Sequence, residues 1–133
     1  MQYVLLDTSV ASLSLKGTVP TSLGTRLASL APAMSFVTVG ELTQWAELRG
    51  WTSRRRGALD RLIARCVVIP CDEHTARIWG RLSAAAYRRG RPRPQNDMWI
   101  AACGLAEGMP IATLNAKDFS DFAEHHGLDL ILN

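Results

Sequence analysis

Short apolar segments alternate with longer amphipathic segments along most of this 133-residue chain, and this alternation constrains the possible folds more than any other feature. The apolar segments predict buried strands at residues 3–6, 34–37, 66–69, 110–114 and 130–132. Strands that alternate with helices favour a parallel sheet, built with right-handed crossovers and covered on both faces. We therefore predict a three-layer α/β/α fold with a central parallel sheet of four to five strands flanked by helices.

The amphipathic segments predict the helices that cover this sheet. Helical spacing of apolar residues and local stop signals place them at residues 21–30, 39–50, 53–64, 72–90, 96–108 and 117–125, after a first helix near Ser9. A hydrophobic content of 47% is enough for one core in a chain of this length. We expect a single domain over residues 1–133.

The composition also limits where the protein acts. Charges or prolines interrupt every apolar stretch before it could cross a membrane, and the first residues, MQYVLLDTS, lack a basic leader. We expect a soluble cytoplasmic protein with no membrane partner. Cys66, Cys71 and Cys103 form an odd set with no repeated spacing, which favours reduced, mostly buried thiols over a disulfide framework.

Four acidic residues lie at predicted junctions between strands and helices. Asp7, Glu41 and Asp118 come just after predicted strands, and Asp97 lies at a helix start. Ligands of parallel sheets bind outside the carboxyl ends of the strands, so the four carboxylates can share that edge. Clustered carboxylates raise one another's pKa values, and a bound cation removes this repulsion. The pattern predicts a site for Mg²⁺ or Mn²⁺, which suits phosphodiester hydrolysis.

Each acid alone also has a structural interpretation. Asp7 could cap the following helix, and Asp97 could be a first-turn residue that the helix dipole favours. Glu41 could be a solvated first-turn residue, and Asp118 could belong to a turn. Four independent caps need not converge on one sheet edge, so the conjunction favours the metal site.

Other motifs offer weaker chemistry. Cys66, Cys71 and His74 resemble part of a zinc site but lack a fourth ligand at a suitable spacing. His125 and His126 lie in a polar segment and are expected to cap a helix or contact solvent. The chain contains no glycine-rich phosphate loop and no G-x-S-x-G elbow, which leaves nucleotide-loop and serine-hydrolase functions without support.

Thirteen of the 15 basic residues are arginines, and they form two clusters. Guanidinium groups match phosphate oxygens in a bidentate manner, so both clusters could face a polyanion. The run Arg54–Arg56 could equally be a solvated surface. The second cluster precedes Asp97 directly and is the more informative candidate for a polyanion-binding face; it contains Arg88, Arg89, Arg91 and Arg93.

The motifs LLDTS, TVGEL, NDMWIAA and TLNAKDF resemble, in order and spacing, those of the PIN-domain ribonucleases, and more closely the VapC-type toxins of bacterial toxin-antitoxin pairs. The resemblance covers almost the whole chain. It implies a PIN-like fold, usually dimeric, and metal-dependent RNA endonucleolysis. It also implies a small VapB-type antitoxin whose C-terminal segment blocks the active site.

The resemblance also assigns roles to residues. Asp7, Glu41, Asp97 and Asp118 would be the acidic quartet that holds Mg²⁺ or Mn²⁺, with Asp118 the most variable member, often acting through water. Polar positions that support the site would be Thr8, Ser9 and Asn115.

Three functions follow as hypotheses. The first is a homodimeric toxin endoribonuclease that cleaves tRNA or ribosomal RNA and so inhibits translation and growth, with the RNA steered by Arg88, Arg89, Arg91 and Arg93. The second is a PIN-type nuclease for RNA processing or structured DNA, which would use the same residues. The third is a non-catalytic module in which the acids cap helices and the arginines bind RNA or a partner.

Overall fold

A computed structural model describes residues 2–133 of the chain, and its centre is a five-stranded parallel sheet. The strands are β1 (Tyr3–Leu6), β2 (Ala31–Ser35), β3 (Val67–Ile69), β4 (Ile111–Thr113) and β5 (Leu130–Leu132). Their spatial order is β3-β2-β1-β4-β5, with β1 in the middle. In register, Leu5 of β1 lies beside Ala33 of β2 and Ile111 of β4. The predicted parallel sheet is confirmed.

Helices connect the strands. They are α1 (Thr8–Lys16), α2 (Thr21–Leu27), α3 (Phe36–Leu48), α4 (Ser53–Arg65), α5 (Glu73–Arg88), α6 (Gln95–Glu107) and α7 (Ala116–His126). In the part of the chain that the structure describes, none of these helices is both long enough and apolar enough to span a membrane.

The two faces of the sheet belong to two separate hydrophobic cores, because side chains alternate along a strand. Val4 and Leu6 of β1 enter one core, which is completed mainly by residues of α1 to α4. Leu5 points to the other core, which includes the buried Phe119 and Phe122 of α7 together with residues of α5 and α6. Helices therefore cover both faces, and the predicted three-layer α/β/α architecture is confirmed.

The boundary between β2 and α3 differs from the prediction. The second strand was expected to reach Val37, but it ends at Ser35, and α3 begins at Phe36 rather than near residue 39. The Ser35 hydroxyl accepts a hydrogen bond from the Thr38 amide at 3.3 Å and caps the helix inside the apolar run. Glu41 consequently lies in the second turn of α3 and not directly after a strand.

Smaller corrections concern α2 and the cysteines. The second helix ends at Leu27, so Leu30 lies outside it. Cys66 follows α4 as its C-terminal cap and is not part of β3. All three cysteines are free, as expected, but Cys71 is exposed and only Cys103 is fully buried.

The arginines of the Arg54–Arg56 run have different neighbours, and Arg56 has a structural role. Arg56 donates from Nε to the Trp51 carbonyl at 2.9 Å and from Nη2 to the Ala46 carbonyl at 3.0 Å. Its Nη1 also pairs with Glu47 at 2.9 Å, but both side chains are substantially exposed, which makes this ion pair weak. Arg56 thus joins α4 to the C-terminal end of α3, where helix carbonyls lack partners in the helix.

We expect Arg56→Lys to lower the free energy of unfolding by about 2 kcal/mol, because the planar fork is lost and a net contribution of about 1 kcal/mol per hydrogen bond goes with it. Urea denaturation measures this change. Arg54→Lys is the matched control and should change stability by less than about 0.5 kcal/mol, as expected for an exposed substitution. Equal effects of the two substitutions would contradict the structural role of Arg56.

Candidate active site

Asp7 lies at the carboxyl end of the central strand and is 3% exposed. Its Oδ1 accepts hydrogen bonds from the Ser9 hydroxyl at 2.6 Å and from the Val10 amide at 2.9 Å. Its Oδ2 accepts one from the Thr113 hydroxyl at 2.5 Å. Burial raises the pKa of Asp7, these hydrogen bonds oppose the rise, and Asp118 adds repulsion. Asp7 therefore caps α1 and also presents a buried carboxylate at the sheet edge.

Thr113 is a site residue that the sequence did not reveal. It ends β4, the strand beside β1, and is fully buried. Its hydroxyl donates its single proton to Asp7, and its oxygen accepts a hydrogen bond from the backbone N–H of Asn115 at 2.9 Å. The available signal was a threonine at a predicted strand end. Asn115, which was predicted to support the site, has an exposed side chain with no capping hydrogen bond.

Glu41 is tied to the start of α1 through Thr8. The Thr8 hydroxyl donates to Glu41 Oε1 at 2.8 Å and lies 2.9 Å from the hydroxyl of Thr38. Since Thr8 has one proton and gives it to Glu41, Thr38 must donate to Thr8. Thr38 is fully buried and was also missed from sequence, because threonine in the first turn of a helix suggests no particular role. This relay brings Glu41 toward Asp7 although Glu41 does not follow a strand.

Asp97 and Asp118 complete the acidic group. Each is half-buried in the first turn of its helix, Asp97 in α6 and Asp118 in α7. The pKa of Asp97 is raised to about 6; burial is the main cause, Asp118, Glu41 and Asp7 add to the rise, and Arg93 opposes it. The four acids that the sequence predicted to converge therefore share one electrostatic field.

The donor set suits a hard divalent cation, because it consists of carboxylate oxygens and a cation would lower the raised pKa values of Asp7 and Asp97. The side-chain positions are less compact than a preformed site. Within residues 2–133, no three Asp, Glu, His or Cys side chains are grouped so that they could hold one ion. The acids match a divalent metal in chemistry and charge, whereas a shared coordination sphere is not formed in this structure.

The arginine cluster before Asp97 separates into different environments. Arg89 forms an ion pair with Asp121 at 2.6 Å, with both side chains largely buried, and so joins α5 to α7. Arg93 donates to the Lys117 carbonyl at 3.2 Å and lowers the pKa of Asp97. Arg88 and Arg91 are exposed. Of the four predicted RNA contacts, Arg93 is the one placed beside an acid of the site.

An open cleft of about 450 Å³ adjoins the acids. Glu41 lines it, together with the aromatic rings of Phe36 and Trp99 and the amides of Gln44 and Asn96. Trp99 stacks on Trp79 with ring centroids 5.0 Å apart, which fixes its position. The cleft thus offers aromatic surface and amide hydrogen-bonding groups next to the acidic group.

In the described chain, the cysteines and histidines considered as candidate ligands do not form a second site. Cys71 and His74 are exposed, Cys66 is half-buried, and these three form no metal-binding group among residues 2–133. His125 Nε2 lies 3.7 Å from Asp121, and His126 lies 3.4 Å from Arg89. The two histidines therefore surround the Arg89–Asp121 ion pair.

Comparisons with known proteins show the family of this chain. A family model described as the PIN domain matches residues 4–125. The chain is 29% identical to ribonuclease VapC1 of Haemophilus influenzae over 119 residues, which cover 86% of this chain and 88% of that protein. It is 32% identical to ribonuclease VapC5 of Mycobacterium tuberculosis over 97 residues, which cover 71% of this chain and 69% of that protein.

Solved structures show the same architecture. VapBC-1 from nontypeable Haemophilus influenzae matches with a TM-score of 0.80 at 27% identity, covering 97% of this chain and 96% of that chain. VapBC2 from Rickettsia felis, bound to a DNA fragment from its promoter, matches with a TM-score of 0.86 and covers 99% of both chains. At 22% identity the second likeness shows the fold alone.

Proposed function

Since the chain belongs to the PIN domain family, and within it to the VapC-type ribonucleases, we propose that it is a metal-dependent endoribonuclease and the toxin of a type II toxin-antitoxin pair. The observation that carries this proposal is the convergence of Asp7, Glu41, Asp97 and Asp118 in one field at the carboxyl edge of the sheet. The curated relatives are named ribonucleases, and the solved relatives are VapBC toxin-antitoxin complexes.

The four acids are the proposed holders of Mg²⁺ or Mn²⁺, with Asp7 and Asp97 as principal ligands. When bound, the ion supplies positive charge to phosphoryl oxygens and activates water as a nucleophile. The chain itself orients two of the four carboxylates. Ser9, the Val10 amide and Thr113 orient Asp7, and Thr8 orients Glu41. Outer partners of this kind typically raise metal affinity or activity by about 10- to 100-fold.

RNA is the proposed substrate, and Arg93 is the best placed of the cluster arginines to bind a phosphate beside Asp97. Arg88 and Arg91 would steer the polyanion from the exposed surface. Arg89 would act indirectly, by holding α5 against α7 through Asp121. We propose tRNA or ribosomal RNA as the target, with inhibition of translation and growth as the consequence.

We propose further that the protein works as one PIN domain in the cytoplasm, as a homodimer bound to a VapB-type antitoxin. Growth of a bacterial host tests the toxin function and its neutralisation by an antitoxin. Expression of the chain alone should stop growth, and co-expression of the small reading frame beside its gene should restore it. Normal growth with the chain alone, at a confirmed protein level, would contradict a toxin function.

Metal removal tests the enzymatic proposal directly. We expect the purified chain to cleave a labelled RNA hairpin in Mg²⁺ or Mn²⁺ and to stop in EDTA, because only a cation brings the mutually repelling acids into a reactive arrangement. Gel electrophoresis of the products measures cleavage, and RNA incubated with metal alone is the control. Cleavage that persists in EDTA, or no cleavage with either ion, would be incompatible with this mechanism.

A further inference from the structure

Two members of the Arg54–Arg56 run belong to a second charged surface, on the side of α4 that faces α1. A concavity of about 470 Å³ lies there, and we call it the basic cleft. Leu15 and Ala58 form apolar parts of its wall, and Thr52 contributes a hydroxyl. Its cations come from both helices and are Lys16, Arg54, Arg55 and Arg61. Residues far apart in sequence thus bring four positive charges into one cavity.

Packing holds two of these cations in place. The guanidinium of Arg55 lies 4.3 Å from the centroid of the Trp51 ring, a cation-π contact. Arg61 lies back along α4 over Gly57, where a Cβ atom would be 3.3 Å from Nη1. Glycine inside a helix costs about 1 kcal/mol relative to alanine. At this position it leaves the space next to the Arg61 guanidinium free.

No acidic residue of the described chain, residues 2–133, neutralises the basic cleft. None lines it, and the ion pairs of these residues involve Arg56, Arg77 and Arg89 but none of the four cations. Asp60 of α4 and Glu47 of α3 lie on the other side of α4, in the cavity that contains Arg56. The four cations of the cleft repel one another, so an anion bound among them would relieve this repulsion and be bound favourably.

The distance between the basic cleft and the acids fits the phosphate spacing of a nucleic-acid strand. Asp7 caps the N-terminus of α1, and Lys16 ends it nine residues later, a distance of about 14 Å at roughly 1.5 Å per residue. A stacked strand carries one phosphate per about 3.4 Å, so about four nucleotides span this distance. Guanidinium forks bind phosphate oxygens in a bidentate manner.

We propose that the basic cleft binds the phosphodiester backbone of the RNA substrate about four nucleotides from the cleaved bond. The proposal rests on the ribonuclease function proposed above and adds a substrate-binding region to it. RNA that reaches the cleft gains affinity there, and RNA too short to reach it is bound by the acid site and its neighbours alone.

The test compares two double variants of equal charge. Arg54→Gln/Arg61→Gln removes two cations of the basic cleft, and Arg26→Gln/Arg81→Gln removes two exposed cations elsewhere. Fluorescence anisotropy in EDTA measures binding to a labelled single-stranded RNA of about 20 nucleotides over a salt series. We expect the cleft variant to bind roughly tenfold more weakly at low salt, with the slope of log affinity against log salt reduced by about 1.4, because each lost phosphate contact of a single strand changes this slope by about 0.7. The control variant should bind like the parent.

Cleavage in Mg²⁺ or Mn²⁺ supplies a second measurement. We expect the cleft variant to lose kcat/KM on the long RNA by a similar factor and to cleave a trinucleotide as the parent does. Equal losses on both RNAs, an unchanged salt slope, or the same loss in the control variant would overturn the proposal. So would a loss of binding to a labelled polyglutamate peptide without any loss for RNA, since the cleft would then be a protein-binding site.

The two proposals fail in different ways. If the parent binds RNA with the expected dependence on the basic cleft but never cleaves it, the ribonuclease function is wrong and the cleft is still an RNA-binding site. If the parent cleaves both RNAs and the cleft variant equals it in binding and cleavage, the function stands and the cleft proposal is wrong. Unchanged thermal unfolding of the variants confirms that they fold.

Discussion

Asp97→Asn should abolish most RNA cleavage while making the metal-free protein more stable. Loss of a proposed metal ligand should lower kcat/KM by at least roughly a hundredfold, since even outer partners of a metal site contribute about 10- to 100-fold. The stability gain comes from removing a half-buried carboxylate that Asp118 and Glu41 repel. A residue of a functional site is expected to behave in this way, because such sites often lower the stability of the fold while providing activity.

The sign of the stability effect follows from the pKa of Asp97, which is about 6 in the folded chain against an ordinary value of 3.8. Between these two pH values the folded chain holds a proton that the unfolded chain has lost. The free energy of unfolding therefore decreases as pH rises through this window and stays reduced above it. The shift corresponds to about 3 kcal/mol at about 1.4 kcal/mol per pKa unit, which solvent screening reduces to about 1 kcal/mol.

Urea denaturation in EDTA below and above this pH window measures the difference. Asp97→Asn should match the parent at the acidic end and exceed its stability by about 1 kcal/mol near neutral pH. Asp129→Asn, a change at an exposed acid, is the control. It keeps Asp97 and should therefore retain the pH dependence of the parent. A variant that cleaves RNA at the parental rate, or that is less stable than the parent at neutral pH, would show that Asp97 does not act in this way.

Thr113→Val should weaken both the fold and the activity, although Thr113 is not one of the acids. The substitution keeps the shape of the side chain but removes the donor to Asp7 and the acceptor for the Asn115 amide. Leaving buried polar groups without partners costs about 1 to 3 kcal/mol. Cleavage should fall by about 10- to 100-fold, because Asp7 loses one of the contacts that orient it.

Thr113→Ser is the matched control, because it retains the hydroxyl and removes only a buried methyl group. It should lose about 1 kcal/mol of stability and keep most of the activity. Urea denaturation and the rate of RNA cleavage at saturating metal measure both variants. If the serine and valine variants lose activity equally, the hydroxyl has no role and packing alone explains the effect. A valine variant with parental activity would remove Thr113 from the site.

The strands and helices followed from local sequence pattern because their periodicity and caps lie within a few residues. The prediction was wrong at β2 and α3, where the apolar run continues from strand into helix and only the Ser35 cap separates them. Hydropathy cannot locate a boundary inside a run that is apolar on both sides. The consequence was a misplaced Glu41, although its membership of the acidic group was predicted.

The polar partners of the acids were harder to predict because they depend on which elements become neighbours. Thr113 lies 106 positions from Asp7 and contacts it because β4 pairs with β1. Arg89, which caps the C-terminus of α5, is joined to Asp121 of α7, 32 positions later, whereas Arg93 lies near Asp97. In the sequence both arginines belong to the same cluster.

The sequence by itself determined the layered parallel fold and the family and predicted the four acids, because periodicity, caps and motif order are local. Only the tertiary structure decided which groups touch. It assigned Thr113 to Asp7, Thr8 to Glu41 and Arg56 to the end of α3, and it brought Lys16 to the basic cleft. Hydrogen bonds and charge interactions act over a few ångströms, and strand order and helix packing set those distances.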